Sequence, residues 1–307
     1  MATGLPRGSL AAVLTPLTDR GEIHEPDLRT EIEAIVSGGV AGIVVLGSSG
    51  EVASLSKASR EAVVGTARGA VPADFPVIVG VAATGLAAAL DDLSAAIDGG
   101  ATAALVAPPF YGPVDQGSVR RFYEAMAAAS SIPMLGYHIP AFTGVRLEPA
   151  TVAGLAADGV LIGLKDSNRD LEYLQQIVAI GDSAASGWTT YVGTDSLILP
   201  AMVIGATGGI TLAASIVPSW TARLVALIEA GDLAAARGLQ ATLTELILVL
   251  RRGSFPAGAK AALSILGISS PELVPPARGL DDEQIASLRV ELERLGVTAA
   301  DKTERTE

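Results

Sequence analysis

The sequence of 307 residues contains no cysteine and only two histidines, His24 and His138. The absence of thiols excludes disulfides, thiolate nucleophiles, iron–sulfur clusters and cysteine-ligated zinc. Two histidines also argue against a metal centre built from several histidine ligands. Any chemistry must therefore rest on lysine, tyrosine, hydroxyl groups, carboxylates or the backbone.

Basic residues are the minority, with 21 Lys and Arg against 33 Asp and Glu, for a net charge of −12. A negative surface argues against nucleic acid and anionic membranes as partners. The apolar run Ser9–Leu14 is too short for a secretory signal, so we expect a cytoplasmic protein. The longest uncharged stretch, Ser196–Ala222, is interrupted by proline and glycine and predicts a buried helix–strand–helix passage rather than a membrane span.

Half of the residues are hydrophobic, which is enough for a large core. Short apolar runs recur about once per βα unit, roughly every 25–35 residues, with Ala-rich helical segments between them. Their interiors are apolar throughout, as in parallel strands covered on both faces. The predicted strands are Leu10–Leu14, Ile43–Leu46, Val77–Val81, Ala103–Val106, Met134–Tyr137, Leu161–Leu164, Thr190–Val192 and Gly209–Leu212. Eight such strands predict an α/β fold, a (β/α)8 TIM barrel, and no G-x-G-x-x-G follows the first strand to favour a doubly wound sheet.

The chain divides by pattern into a barrel and a C-terminal extension. We assign residues 1–230 to the barrel with its active site. Further helical patterns at Leu233–Arg251, Ala257–Leu266 and Asp281–Leu295 predict a helical appendage over residues 231–300. The charged end, 301–307, is expected to fray.

Barrel enzymes place their reactive groups at the C-terminal ends of the strands. Lys165 ends the predicted sixth strand, whereas Lys57, Lys260 and Lys302 fall in helical segments or in the tail. An amine that is partly desolvated in a barrel mouth can form a Schiff base with a ketone or 2-oxo acid. A strand-end lysine that reaches solvent beside Asp166 is the alternative.

Three further motifs follow predicted strands. The run Gly47–Glu51 offers N–H groups and hydroxyls that could bind a carboxylate or phosphate, although an ordinary Gly-rich turn has the same composition. Tyr137 lies on the strand beside Lys165, where a phenol could relay protons or be purely structural. His138 should face the other way and pack or support the site, and Phe110–Tyr111 could plug a loop or contact another subunit.

Together these motifs resemble the dihydrodipicolinate synthase and N-acetylneuraminate lyase family of class I pyruvate-dependent aldolases. The resemblance covers about Gly8–Leu295. The motifs that carry it are Leu14-Thr15-Pro16, Gly47-Ser48-Ser49-Gly50-Glu51, Pro109-Phe110-Tyr111, Tyr137-His138-Ile139-Pro140-Ala141-Phe142-Thr143-Gly144, Gly163-Leu164-Lys165-Asp166-Ser167, Gly205-Ala206-Thr207-Gly208-Gly209-Ile210 and the late Ala259–Gly267.

The resemblance implies a role for each matching residue. Lys165 would form the Schiff base, Tyr137 would be the general acid/base, and Ser48 and Tyr111 would complete a proton relay, with Tyr111 reaching a neighbouring subunit's site. The substrate-binding positions it implies are Gly47, Ser49, Phe142, Ser167, Asp195 and Ile210. It further implies a homotetramer, a dimer of dimers, that needs no metal or other cofactor because the protonated imine is the electron sink.

Phe142 departs from the dihydrodipicolinate synthases, which carry at this position an arginine for the carboxylate of the second substrate. We expect its ring to be buried, where it offers a carboxylate no hydrogen bond. Asp195 falls where sugar-cleaving members bind hydroxyls. We therefore favour an aldolase that cleaves a 2-oxo-3-deoxy sugar acid or related 2-oxo acid to pyruvate and an aldehyde. The alternatives are a 4-hydroxy-tetrahydrodipicolinate synthase with an unusual carboxylate site, for which Arg146 is the first candidate, a Schiff-base sugar-acid dehydratase, and a ligand-binding barrel without catalysis.

Overall fold

Eight parallel strands form a closed barrel in sequence order, and β8 returns to pair with β1. This architecture comes from a computed structural model, which describes residues 5–183 and 187–298. The strands are β1 Gly8–Ala12, β2 Gly42–Val45, β3 Val77–Val81, β4 Ala103–Val106, β5 Met134–His138, β6 Gly163–Asp166, β7 Thr189–Val192 and β8 Gly208–Thr211. The predicted (β/α)8 barrel is confirmed.

Helices cover the outside of the barrel and extend beyond it. They are α1 Glu25–Ser37, α2 Lys57–Gly69, α3 Leu86–Asp98, α4 Gln116–Ala129, α5 Pro140–Thr143, α6 Pro149–Ala157, α7 Leu171–Ser183, α8 Ile198–Val203, α9 Ala213–Ile216, α10 Pro218–Glu229, α11 Leu233–Leu250, α12 Ala257–Ile265 and α13 Asp282–Arg294. Ser56, Asp115 and Asp281 begin α2, α4 and α13, because each side chain accepts a hydrogen bond from a first-turn N–H.

The barrel interior is filled by apolar side chains that point inward from its strands. On β6 the inward position next to Tyr137 of β5 and Tyr191 of β7 is instead Lys165. The Tyr191 hydroxyl donates to the carbonyl oxygen of Pro6 at 2.6 Å, which ties the interior to the N-terminal segment. The fold therefore places one amine in an otherwise apolar layer.

The C-terminal helices α11–α13 share one hydrophobic cluster with α8–α10 of the barrel. Because this cluster is continuous, the division at residue 230 stays a prediction. The stretch 196–222 forms the predicted helix–strand–helix passage. By length and composition α11 could cross a membrane, and 39% of it is buried in the protein. The tail 301–307 lies outside the described residues.

Two strands are displaced from their expected positions by more than one residue. We predicted β1 as Leu10–Leu14 and β6 as Leu161–Leu164, and both strands lie two residues away. Apolar runs mark burial, whereas backbone pairing defines a strand, and Gly8 pairs with Gly208 of β8. In β6 the pairing continues through two charged residues: Lys165 lines the cavity at the barrel mouth, and Asp166 pairs with His138.

Candidate active site

Lys165, Tyr137 and Ser48 form a contiguous group at the C-terminal mouth of the barrel. Lys165 is 4% exposed, and its Nζ lies 4.5 Å from the centroid of the Tyr137 ring. The Tyr137 hydroxyl lies 3.2 Å from Oγ of Ser48. The mouth thus brings together an amine that can act as a nucleophile and two hydroxyls that can transfer protons.

Gly193, directly after β7, makes room for the lysine. A Cβ atom at this position would collide with Oγ of Ser167 and would lie 2.9 Å from Cε of Lys165. The Gly193 N–H donates to the carbonyl oxygen of Asp166 at 2.6 Å, which holds the two strand ends together. The lysine side chain therefore lies against bare backbone, and the sequence analysis gave this glycine no role.

The loop after β2 carries Gly47, Ser48 and Ser49 into the mouth. Ser49 is 6% exposed and lines the same cavity of about 460 Å³ as Ser48 and Lys165. Gly47 lines the adjoining cavity, and its carbonyl oxygen accepts from the N–H of Gly50 at 3.1 Å. The Thr15 hydroxyl donates to the carbonyl oxygen of Gly50 at 2.9 Å, so the first strand's motif anchors the loop.

Glu51 and Lys260 form a buried ion pair that anchors the other end of this loop. Their side chains are 7% and 1% exposed. The Glu51 carboxylate also accepts from the N–H of Val274 at 2.9 Å, and Nζ of Lys260 donates to the carbonyl oxygen of Glu272 at 2.6 Å. Burial lowers the pKa of Lys260, and the Glu51 carboxylate opposes that shift. Lys260 lies in a helix, as predicted, but its sequence context did not indicate that it is buried and paired.

Replacement of Lys260 by Met should lower the free energy of unfolding by about 3–5 kcal/mol, because it leaves Glu51 buried without its counter-ion. Lys57→Met is the matched control, since Lys57 pairs with Glu61 on the surface, where both side chains are at least half exposed. That change should cost less than about 1 kcal/mol. Urea unfolding monitored by circular dichroism measures both. Equal effects of the two substitutions would contradict a structural role for the buried pair.

Asp195, three residues after β7, and Ile210 on β8 share the cavity of Lys165. Asp195 is 4% exposed, and its Oδ1 accepts from the N–H of Ala213 at 2.6 Å. Burial raises the pKa of Asp195, and the Ala213 N–H opposes the shift. One carboxylate oxygen therefore holds the start of α9, and Asp195 has a structural contact besides the predicted hydroxyl binding.

Ser167 lies on the wall formed by the end of β6, as predicted, and lines the cavity. Its N–H donates to the carbonyl oxygen of His138 at 2.9 Å, which extends the β5–β6 pairing by one residue. Its neighbour Asn168 also lines the cavity, and its N–H donates to Oδ1 of Asp166 at 3.1 Å. These contacts hold the backbone and leave the two polar side chains at the cavity surface.

Phe142 lies on the short helix α5 at the rim of the cavity. It is 61% exposed, and its ring centroid is 6.0 Å from that of Phe255. The ring is thus partly solvated, whereas we had expected it to be buried. Arg146 points elsewhere: its guanidinium lies 5.0 Å from the centroid of the Tyr173 ring and within 4 Å of Glu148 and Asp170. Arg146 does not line the cavity, which removes the first candidate for a carboxylate clamp.

Tyr111 does not meet the other predicted site residues within this chain. It is 96% exposed on the loop after β4 and has a φ of 84°. Phe110 lines an adjoining, mostly apolar cavity of about 500 Å³ together with Ser48 and Tyr137. The predicted contact of Tyr111 with a neighbouring subunit stays a prediction.

His138 faces away from the cavity, as expected, and pairs with Asp166. Its Nδ1 lies 2.7 Å from Oδ1 of Asp166, and both side chains are buried. The imidazole also stacks on Tyr173, with ring centroids 4.3 Å apart. This pair explains why β6 continues through Asp166 behind the lysine. Within residues 5–183 and 187–298, no three His, Asp or Glu side chains cluster in a way that would hold a metal ion.

Comparison with known proteins agrees with this geometry. The model of the dihydrodipicolinate synthetase family matches residues 5–295. An uncharacterized DapA-like lyase of Halobacterium salinarum is 36% identical over 86% of this chain and 85% of its own length. The 4-hydroxy-tetrahydrodipicolinate synthase of Syntrophus aciditrophicus is 31% identical over 95% of this chain and 99% of its own.

Solved structures of the same family resemble the fold of this chain. YagE, a prophage protein of the dihydrodipicolinic acid synthase family from E. coli K12 in complex with pyruvate, superposes with a TM-score of 0.91. It is 28% identical, and the match covers 95% of this chain and 99% of YagE. A barrel with these relatives is a carbon–carbon lyase of the pyruvate-dependent class I type. The chain belongs to the dihydrodipicolinate synthetase family.

Proposed function

We propose that this enzyme cleaves a 2-oxo-3-deoxy sugar acid, or a related 2-oxo acid, to pyruvate and an aldehyde through a Schiff base on Lys165. The observation that carries the proposal is the contiguous group Lys165–Tyr137–Ser48 in a cavity of about 460 Å³ at the barrel mouth. The volume is in the range of small-molecule sites. The proposed reaction needs no metal or other cofactor.

Each step uses a group that lies at this mouth. The Lys165 amine adds to the C2 carbonyl and water leaves, which gives a protonated imine. Tyr137 takes the proton from the C4 hydroxyl as the C3–C4 bond breaks and its electrons move into the imine to give an enamine. The aldehyde departs, a proton returns to C3, and water hydrolyses the imine to pyruvate and the free lysine.

The loop after β2 is placed to hold the carboxylate of the pyruvyl group. Ser48 and Ser49 line the cavity with Lys165, and the turn that begins at Gly47 presents hydroxyls and N–H groups next to the amine. Ile210, whose side chain is fully buried on β8, would contribute a backbone contact. Hydrogen bonds to a carboxylate are among the stronger ones in proteins, so this loop would fix the orientation of C2.

Tyr111 would complete the site of a neighbouring subunit in a homotetramer. An aromatic side chain that is 96% exposed and follows Phe110 supports an interface at this loop. A solved relative, 26% identical with a TM-score of 0.92, is described as a monomeric dihydrodipicolinate synthase variant, so the assembly of this chain has to be measured. The net charge of −12 argues against nucleic acid and anionic membranes as partners of this enzyme.

The alternative is 4-hydroxy-tetrahydrodipicolinate synthase, the name of several relatives at 29–34% identity. Phe142 argues against it because a phenyl ring offers a carboxylate no hydrogen bond. A sugar-acid dehydratase would use the same Lys165 and Tyr137 but release water in place of an aldehyde.

A panel of 2-oxo-3-deoxy acids with pyruvate release coupled to lactate dehydrogenase tests the proposal. We expect pyruvate from at least one member of the panel. Conversion to a different oxo acid without pyruvate would identify a dehydratase. If no acid of the panel is converted and pyruvate condenses efficiently with aspartate semialdehyde, the proposal is overturned in favour of the synthase.

Phe142→Arg should raise kcat/KM for aspartate semialdehyde relative to the best aldol substrate by about tenfold, since a bidentate guanidinium–carboxylate pair is worth a few kcal/mol at best and here lacks supporting contacts. The wild type should condense this aldehyde poorly. Phe142→Leu is the neutral control and should not shift the ratio. A wild-type rate comparable to its best aldol cleavage would show that another residue supplies the clamp.

A further inference from the structure

Two arginines line the cavity of Lys165, and the sequence analysis assigned neither of them a role. Arg169 follows β6 by three residues, and Arg251 is the residue that directly follows α11. Arg169 is exposed at the mouth, whereas Arg251 is partly buried. Within residues 5–183 and 187–298, neither guanidinium makes an ion pair or a side-chain hydrogen bond.

Several other arginines of this acidic chain have carboxylate partners. Arg60 pairs with Asp92 at 2.8 Å, and Arg252, directly after Arg251, lies 3.9 Å from Glu291 and donates to the Ser287 hydroxyl at 2.9 Å. Arg252 thus serves the packing of α13, while Arg251 turns into the cavity. Arg169 and Arg251 thus line the cavity without an ion pair to any carboxylate of the described residues.

The two guanidiniums are close enough to affect each other. Burial and the positive charge of Arg169 lower the pKa of Arg251, and the carboxylate of Asp195 opposes that shift. Asp195 forms no ion pair with either guanidinium among the described residues, and its Oδ1 accepts instead from the N–H of Ala213. Two like charges at a partly desolvated wall are unfavourable unless an anion lies between them.

The backbone of Arg169 adds a second observation. Its φ is 61°, the left-handed region that residues other than glycine, asparagine and aspartate rarely occupy. Strained conformations of this kind concentrate at ligand sites, where the surrounding structure enforces them. The arginine side chain therefore starts from a backbone position fixed at the cavity edge, three residues from the end of the lysine strand.

We propose that Arg169 and Arg251 bind a second anionic group, a carboxylate or a phosphate, at the far end of the substrate's aldehyde half. This inference rests on the proposed function and narrows it. The Ser48–Ser49 loop would hold the first carboxylate, and the two arginines would hold the second across the same cavity. The substrate class is then a 2-oxo-3-deoxy sugar acid that ends in a phosphate ester or in a second carboxylate.

Turnover with matched substrates tests the proposal. We compare kcat/KM for 2-oxo-3-deoxygluconate, its 6-phosphate, and the 2-oxo-3-deoxy acid that ends in a carboxylate. The wild type should favour one of the two anionic substrates by about tenfold or more, and Arg169→Gln/Arg251→Gln should remove that preference while it leaves the neutral substrate within about threefold. The preferred member identifies phosphate or carboxylate. Arg252→Gln is the matched control. Equal rates on all three substrates in the wild type would overturn the inference.

Imine trapping separates this inference from the proposed substrate. Borohydride with 2-oxoadipate or 2-oxohexanoate compares two acids of equal carbon number, only one of which has a second carboxylate. In the wild type, half-maximal adduct formation should need about tenfold less 2-oxoadipate than 2-oxohexanoate, and this difference should vanish in the double variant. Such a result would support the anion site even if every sugar acid failed as substrate. Equal trapping of both acids, or no adduct from either, would overturn it.

Discussion

Borohydride added to the enzyme with pyruvate should leave a covalent adduct on Lys165. The amine attacks C2 of pyruvate, water leaves, and the reductant converts the imine to a stable secondary amine. Peptide mass spectrometry locates the modified residue. Lys165→Met should abolish both the adduct and pyruvate release, because no other group described in the cavity carries an amine.

The other lysines make this result specific. Lys57 is 63% exposed and pairs with Glu61 on the surface of α2. Lys260 is buried, but its amine is bound to the Glu51 carboxylate and to the carbonyl oxygen of Glu272. Both should stay unmodified at pyruvate concentrations that saturate Lys165. An adduct on either of them, or none at all, would remove the Schiff-base mechanism.

The sequence predicted the barrel because parallel strands that are buried on both faces form continuous apolar runs, which are easy to recognise. The same argument misplaced β6, whose last residues are Lys165 and Asp166. The apolar run stops before the functional residues at the end of β6, although the backbone there still pairs with Tyr137 and His138. Polar residues at a barrel mouth therefore belong to the strand and should be counted in its length.

Long-range pairs were beyond the sequence. Glu51 and Lys260 lie 209 positions apart by their numbers, and the ion pair exists only because α12 folds back over the loop after β2. Its one signal was a charged residue inside the apolar segment Ala257–Leu266, which is costly to bury unless paired.

Phe142 shows the reverse error. We expected an aromatic ring to be buried, but the short helix α5 holds it at the rim, 61% exposed.

The position of Arg169 in the sequence, though not that of Arg251, indicated a place at the cavity. Arg169 lies in the segment after a strand, where barrel enzymes place substrate-binding groups. Arg251 lies at the end of α11, outside the eight βα units, and only the packing of that helix over the mouth brings it to the cavity. A site assembled from the barrel and the C-terminal helices thus needs the tertiary structure, even where each residue type is suggestive.

Tyr137→Phe should still form the pyruvate imine but should lower kcat by about 10²-fold or more, as expected for the loss of a general acid/base. The ring that lies 4.5 Å from Nζ of Lys165 remains, so the lysine keeps its packing. Only the hydroxyl that contacts Ser48 at 3.2 Å is lost. Borohydride trapping should proceed in the variant, which separates imine formation from proton transfer.

Tyr191→Phe is the matched control for this prediction. Tyr191 lies beside Lys165 on β7, as Tyr137 does on β5, but its hydroxyl donates to the carbonyl oxygen of Pro6. It should retain kcat and lose about 1 kcal/mol of stability with that hydrogen bond. The measurements are steady-state pyruvate release and single-turnover trapping for both variants. Full activity of Tyr137→Phe would mean that water or another group carries the proton, and a variant that no longer forms the imine would assign Tyr137 to an earlier step than carbon–carbon cleavage.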